Sequence, residues 1–275
     1  MFVPKLGASL HCVWPEVTPE AIAALANSQI ATLELFTMRF GVEVETAVSR
    51  LNGLFRTSAI RPMTIHSTFG GQYDLSSPDT ATRERARTVL LEALDIATAV
   101  GAPMVVMHPS AEPIAAEDRE VRRERALTLL SEIAPAYRQA GVRGALELLP
   151  RSCLGNTVDE LHWFLDRLDP AVFGVCLDVN HAMNRYAALP DMVRALGARL
   201  ITTHLSDYDG VDEKHWMPGR GVIDWRSLLQ ALSDIDYQGP FNYECQGEGD
   251  TPEQRVRSFE QNFAWLAGLL EARNA

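Results

Sequence analysis

The stretch GVCLDVNHAMNRYAALPDMVRALGARLITTHLSDYDGVDEKHWMPGRG, Gly174 to Gly221, decides how this chain is read. Two short apolar runs, Val172–Leu177 and Arg199–Thr203, each give way to residues that metals bind. Asp178 follows the first, with His181 three residues on. His204 follows the second, with Asp207 and His215 in the loop beyond. A carboxylate or imidazole just past a buried strand is the usual place for chemistry in an α/β barrel. Metal binding and catalysis are therefore the first readings to carry outward along the chain.

On either side, short β-rich runs alternate with longer amphipathic stretches. Strands are predicted at Lys5–His11, Ala31–Phe36, Pro62–His66, Met104–His108 and Gly144–Leu148. Between them the pattern predicts helices at Pro19–Ser28, Val44–Arg56 and Glu117–Ala140. Ser77 or Asp79 offers a cap to a helix reaching Val100, and Asn156 or Thr157 caps one reaching Leu168. The sixth and seventh strands, Val172–Asp178 and Leu200–His204, flank a helix at Pro190–Leu196. Asp224 then opens a helix to Leu232, Phe241–Glu244 is the eighth strand, and Thr251 to Arg273 is the closing helix. Eight β/α units with no Gly/Ser linker favour a single (β/α)8 barrel over residues 1–275. A doubly wound sheet needs no eighth unit and favours a Gly-rich first turn. The first turn here, HCVWPEVTPE from His11 to Glu20, has no glycine, and GxGxxG, GxxxxGK[ST] and GxSxG are all absent.

A hydrophobic content of 47% and a mean hydropathy of −0.07 describe a soluble globular chain with ample core. No apolar run approaches the roughly 20 residues of a membrane span. The N-terminal MFVPKLGASLHCVW lacks the pattern of a signal peptide, so a cytoplasmic location is expected. Cys12, Cys153, Cys176 and Cys245 show no CxxC spacing and read as reduced, buried thiols. A net charge of −11 argues against a nucleic-acid partner. The basic clusters Arg83–Arg87 and Arg119–Arg125 carry interleaved Glu and read as solvated helix faces.

In a barrel the C-terminal strand ends converge on one mouth. His11, Glu34, His66, His108, Glu147, Asp178, His204 and Glu244 stand there. Of the seven histidines only His162 falls inside a predicted helix. Buried charge is costly unless paired or bound to metal, so ligand-type groups on every strand end call for an explanation. Glu147, Asp178, His204 and Glu244 make an oxygen-rich set suited to Mn²⁺, Mg²⁺ or Co²⁺, with Zn²⁺ as a further option. Three carboxylates around one imidazole would repel without a cation. A metal-free carboxylate–histidine network is the alternative.

At these residues the sequence resembles the xylose isomerase-like TIM-barrel superfamily, which includes sugar isomerases, epimerases and the endonuclease IV family. The resemblance spans essentially the whole chain. Its sharpest parts are ALELLP around Glu147, LDVNHA around Asp178, THLSDYDG after His204, HWMPGRGVIDW from His215, and GPFNYE ending at Glu244. It implies one divalent metal ion (Mn, Co, Mg or Zn) on Glu147, Asp178, His204 and Glu244, with the two glutamates facing opposite sides of a bound sugar. The implied activity is sugar isomerisation or epimerisation by proton abstraction next to a ketone, through a metal-stabilised enediolate. Glu147 and Glu244 would be the acid/base pair. His66, His108, His181, His215 and Arg220 would contact the sugar or cyclitol substrate, with Trp14 and Phe36 as an apolar wall. For Arg220 an exposed loop cation is the alternative reading; for Trp14 and Phe36 it is core packing. No Gly-rich nest or basic cluster stands near the last two strands, so a free sugar is preferred to a phosphate. Dimers and tetramers are common among the enzymes it resembles, so a homo-oligomer is one option, and the sequence leaves the oligomeric state open.

One departure matters. Free-ketose 3-epimerases carry an arginine six residues after the metal histidine, where this chain has Gly210. Either His215 or Arg220 takes that role, or the reaction differs; a keto-sugar or cyclitol dehydratase or lyase would use the same metal and enolate. The rival from another class is a tri-zinc, endonuclease IV-like AP endonuclease. His66, His108, Glu147, Asp178, His181, His204, Glu213, His215 and Glu244 stand at its nine ligand points, Glu213 in place of an aspartate. The acidic charge and the lack of Arg-rich strand-end loops count against it.

Overall fold

Near-continuous apolar runs form parallel strands buried on both faces, one covered by helices and the other by the barrel interior. The computed structural model describes residues 4–271. Its strands are β1 (Leu6–Ser9), β2 (Thr32–Phe36), β3 (Arg61–His66), β4 (Met104–Met107), β5 (Arg143–Glu147), β6 (Phe173–Asp178), β7 (Leu200–His204) and β8 (Phe241–Tyr243). They pair in parallel in the order β7-β6-β5-β4-β3-β2-β1-β8. Closure comes just past the last strands, where Leu205 N donates to Asn242 O at 2.7 Å and Glu244 N donates to Leu205 O at 3.1 Å. The expected (β/α)8 barrel is the observed fold.

The helices are α1 (Leu10–Val13), α2 (Pro19–Ala26), α3 (Val44–Thr57), α4 (Thr80–Val100), α5 (Arg119–Ala140), α6 (Val158–Leu165), α7 (Leu189–Leu196), α8 (Trp225–Asp234) and α9 (Pro252–Glu271). Asp79, Thr157 and Asp224 cap as the sequence implied, accepting from Thr82 N, Glu160 N and Ser227 N. The predicted end of the last helix at Arg273 lies outside the described residues. The predicted first strand stops at Ser9, because Trp14 N donates to Leu10 O at 2.8 Å and coils His11 into the short α1. No helix among the described residues is long and apolar enough to cross a membrane.

Strand side chains alternate between faces. Val106, Ala145 and Cys176 pack together as a separate small cluster in the barrel interior. Two residues on, His108, Glu147 and Asp178 therefore point the same way at the mouth. Two register shifts tune this layer. One, at Leu33/Glu34, sets Glu34 opposite Thr64; the other, at Val175/Cys176, sets Asp178 level with His204.

The four cysteines are free and buried. The cluster Arg119–Arg125 corrects the expectation of a solvated face. Arg119 pairs with Glu160 and donates to the Ser152 and Cys153 carbonyls, while Arg122 pairs with Asp74 and donates to Ser76 at 3.0 Å. The physical reason is that the start of α5 lies against the loop after β3 and the start of α6, whose buried acids Asp74 and Glu160 need cationic partners.

Candidate active site

A cavity of about 450 Å³ opens at the C-terminal mouth, lined by His11, Phe36, His66, His108, Glu147, His181, His215 and Glu244. Glu147, Asp178, His204 and Glu244, from the ends of β5, β6, β7 and β8, each offer a ligand atom within 4.8 Å of the others. The four predicted metal residues are thus brought together, and the predicted sugar-contact histidines His66, His108, His181 and His215 surround them.

Each of four imidazoles is held through one nitrogen, which fixes what the other can do. His66 Nδ1 lies 3.0 Å from Ser67 O, His181 Nδ1 2.9 Å from Leu148 O, and His215 Nδ1 3.1 Å from Glu244 O. A carbonyl only accepts, so these Nδ1 atoms carry a hydrogen and Nε2 is the nitrogen that faces the site. His204 is the reverse: its Nε2 lies 2.9 Å from Glu34 Oε2, and its Nδ1 lies 3.0 Å from Glu244 Oε2 and 3.4 Å from Glu147 Oε1.

Without a cation the site balances its charge with protons. Burial works against a charged His204, yet Cys176, Glu244, Glu34 and Glu147 together raise its pKa well above the ordinary histidine value. Burial likewise opposes His181, but Asp178 and Glu147 push it up to about 10. Burial outweighs the pull of His181 at Asp178 and lifts that carboxyl to about 6. Glu147 and Glu244 move the other way: burial opposes their charge, but neighbouring imidazoles, His108 and His204 for the first and His204 for the second, hold both well below the usual range. Burial lowers the pKa of His108, against the pull of Glu147.

The donor set fits a divalent ion. Asp178 Oδ2 and Glu147 Oε2 are buried without a hydrogen-bond partner. Glu147 Oε2 does have nitrogens nearby, His66 Nε2 at 3.3 Å and His108 Nε2 at 3.0 Å, but neither approach has hydrogen-bond geometry. Orphaned buried oxygens are rare and call for an unseen partner. Three carboxylates and one imidazole suit a hard or borderline cation.

Two predicted contacts are not brought to the cavity. Trp14 lies under the Arg255 guanidinium, 5.0 Å from the ring centroid, because α9 packs behind the first loop. Arg220 pairs with Glu248 and is 59% exposed, since its loop turns outward at Gly219 (φ 90°). Phe36 does line the cavity, beside Phe69, whose ring stacks on it at 5.6 Å. The cavity's arginines are Arg39 and Arg151. Arg151 joins three loops through Glu112 (3.2 Å), Asp212 (2.7 Å) and Glu213 (2.6 Å). The sequence reading placed Glu34 at a strand end without giving it a role, and it missed Phe69, Arg39 and Arg151. The Gly70–Gly71 pair after Phe69 is the one available signal for a loop turning over the mouth.

Comparison with known proteins places the barrel in a family. The family model described as xylose isomerase-like TIM barrel matches residues 22–269. An uncharacterised protein of Sinorhizobium fredii is 26% identical over 194 residues, 70% of this chain and 60% of that one. A D-psicose 3-epimerase of Enterocloster bolteae is 30% identical over 124 residues, 44% of this chain and 40% of that one. An inosose isomerase of Halalkalibacterium halodurans is 25% identical over 208 residues, 72% of this chain and 71% of that one. The chain spans about 60% of the length of the first curated relatives it matches. Among solved structures, a D-tagatose 3-epimerase-like protein shares the fold with a TM-score of 0.83 at 22% identity, covering 98% of each chain. A D-psicose 3-epimerase in the presence of D-fructose does so at 0.78 and 18% identity, covering 97% of this chain and 99% of that one. With the family model covering nearly the whole barrel and its mouth, the chain belongs to the xylose isomerase-like TIM-barrel family.

Proposed function

We propose that the protein is a divalent-metal-dependent sugar isomerase or epimerase, acting on a free sugar or cyclitol by proton abstraction beside a ketone. The observation that carries this reading is the meeting of Glu147, Asp178, His204 and Glu244 within 4.8 Å at a cavity of about 450 Å³. Relatives named D-psicose 3-epimerase and inosose isomerase support it. The four buried, unpaired thiols suit a reducing, cytoplasmic setting.

A divalent ion bound here would stabilise negative charge developing on the substrate oxygens. Glu147, Asp178, His204 and Glu244 would hold it. Glu147 and Glu244 both border the cavity, so each carboxylate can reach a bound sugar. One removes the proton from the carbon beside the carbonyl, and the other returns a proton to the opposite face. His66, His108, His181 and His215 would hold sugar oxygens. Phe36 and Phe69 would cover an apolar face and keep water from the carbanionic intermediate.

Metal content by mass spectrometry, on protein purified without chelator, tests this reading. About one Mn, Co, Mg or Zn per chain is expected, followed by solvent-deuterium exchange into members of a ketose and cyclitol panel. A second reading rests on two further ligand groups, His66–His108–Glu147 and Asp178–His181–His215. About three zinc ions per chain, with cleavage of abasic DNA, would favour that multinuclear site and overturn the sugar reading.

A further inference from the structure

We propose that Glu34 is a positioning residue for the metal site, holding His204 in the one tautomer and orientation that turns its Nδ1 toward Glu147 and Glu244. The inference rests on His204 being a metal ligand.

Glu34 is fully buried in the middle of β2, not at the strand end where its sequence position suggested, and does not line the cavity, so it acts only through its neighbours. Its Oε2 accepts from Thr64 Oγ1 at 2.8 Å and faces His204 Nε2 at 2.9 Å. Its Oε1 accepts from Ser9 Oγ, which in turn accepts from Asn242 Nδ2 at 3.2 Å. Donors from β1, β3 and β7 thus converge on one carboxylate, with β8 behind them. The register shift at Leu33/Glu34 is what sets Glu34 opposite Thr64. If the position served packing alone, an aliphatic side chain would fill it without the desolvation cost of a charge. The charge must therefore be matched by something the fold needs.

That need is visible at the other end of the ring. With its Nε2–H given to Glu34, His204 turns Nδ1 toward carboxylate oxygens of Glu244 at 3.0 Å and Glu147 at 3.4 Å, and an ion bound there would take the Nδ1 lone pair in place of a proton. A lone pair aimed at two carboxylates is repulsive unless a positive charge stands between them. A carboxylate behind a ligating imidazole fixes its tautomer and raises its basicity, which strengthens the bond to the metal.

Glu34→Gln keeps the shape and one carbonyl acceptor while removing the charge. Thr64→Val keeps the charge while removing one hydroxyl that aims it. Two measurements apply to each variant: Mn²⁺ and Zn²⁺ affinity by competition with a chelating dye, and the ¹⁵N pattern of the His204 ring in Zn²⁺-saturated protein. Glu34→Gln should weaken metal binding by about 10–100-fold, and Thr64→Val should weaken it less. The ring pattern should change from a single Nε2–H tautomer to a mixture in Glu34→Gln. Folded Glu34→Gln with wild-type affinity and an unchanged ring pattern would overturn the proposal. If Glu34→Gln does not fold, unchanged affinity and ring pattern in Thr64→Val overturn it instead. Wild-type protein that takes up neither ion would overturn the metal reading itself, whereas wild-type protein that binds metal beside an unaffected Glu34→Gln overturns only the role of Glu34.

Discussion

His108 Nε2 stands 3.0 Å from Glu147 Oε2, yet neither atom has a hydrogen-bond partner. Burial lowers the pKa of His108, and the approach lacks hydrogen-bond geometry, so the two groups are turned toward a common space. If that space belongs to a sugar hydroxyl, His108→Ala should leave the metal-to-chain ratio unchanged. KM should rise by about 3–10-fold, the worth of one hydrogen bond. Mass spectrometry and steady-state kinetics check the two halves separately, and a drop in bound metal would make His108 a ligand instead.

Glu147 and Glu244 carry the proposed proton transfers from opposite sides. Glu147→Gln and Glu244→Gln should each lower kcat by about 10²–10⁴-fold, with the fold intact by circular dichroism. Both variants also lose a charged ligand, so exchange of solvent deuterium into a bound ketose is best followed at saturating metal. Exchange that persists in both variants would rule out the two-carboxylate mechanism.

The strand ends were legible because they obey two simple rules. A period of two puts Glu147 and Asp178 on the face of Ala145 and Cys176, and burial makes each such charge hard to explain without a partner. Glu34 obeys the same rules, but its partners Ser9, Thr64 and His204 lie on three other strands, and its register depends on a bulge that periodicity does not reveal. Loop residues were less legible, since no period fixes where a loop points. Trp14 and Arg220 sit near site residues in sequence but turn to Arg255 and Glu248. Arg151 reaches the rim with a backbone φ of 48°, a conformation that sequence pattern does not announce for arginine.

The pH response follows from His181. Its folded pKa, pushed up to about 10 by Asp178 and Glu147 against the effect of burial, lies above the ordinary 6.5. In metal-free protein the charged ring therefore adds stability that is complete below about pH 6.5 and is lost as pH rises toward 10. Asp178, lifted by burial from 3.8 to about 6, adds a loss of the same sign at lower pH. A divalent ion replaces these protons, so its affinity should rise through the same range and its binding at pH 7 should release protons. Calorimetry in two buffers of different ionisation enthalpy measures that release. No release would mean that the rings are already neutral without metal.

Asp207 holds the loop that delivers His215. Its Oδ1 accepts from Tyr208 N at 3.0 Å and Ile223 N at 3.2 Å, and its Oδ2 from Gly219 N at 2.7 Å and Trp225 Nε1 at 2.8 Å. Its own backbone pairs with Trp216, so both ends of the loop are tied to one buried residue. The loop then sets His215, at φ 46°, with Nδ1 against Glu244 O. Asp207→Asn places an amide NH₂ against two of those N–H donors. Losing two hydrogen bonds to a charged acceptor should cost roughly 3–6 kcal/mol in urea unfolding. Because His215 borders the cavity and is not one of the four proposed metal residues, KM should rise while bound metal stays the same. A variant that lost metal in proportion to activity would show instead that the loop supports the metal residues, with His215 secondary.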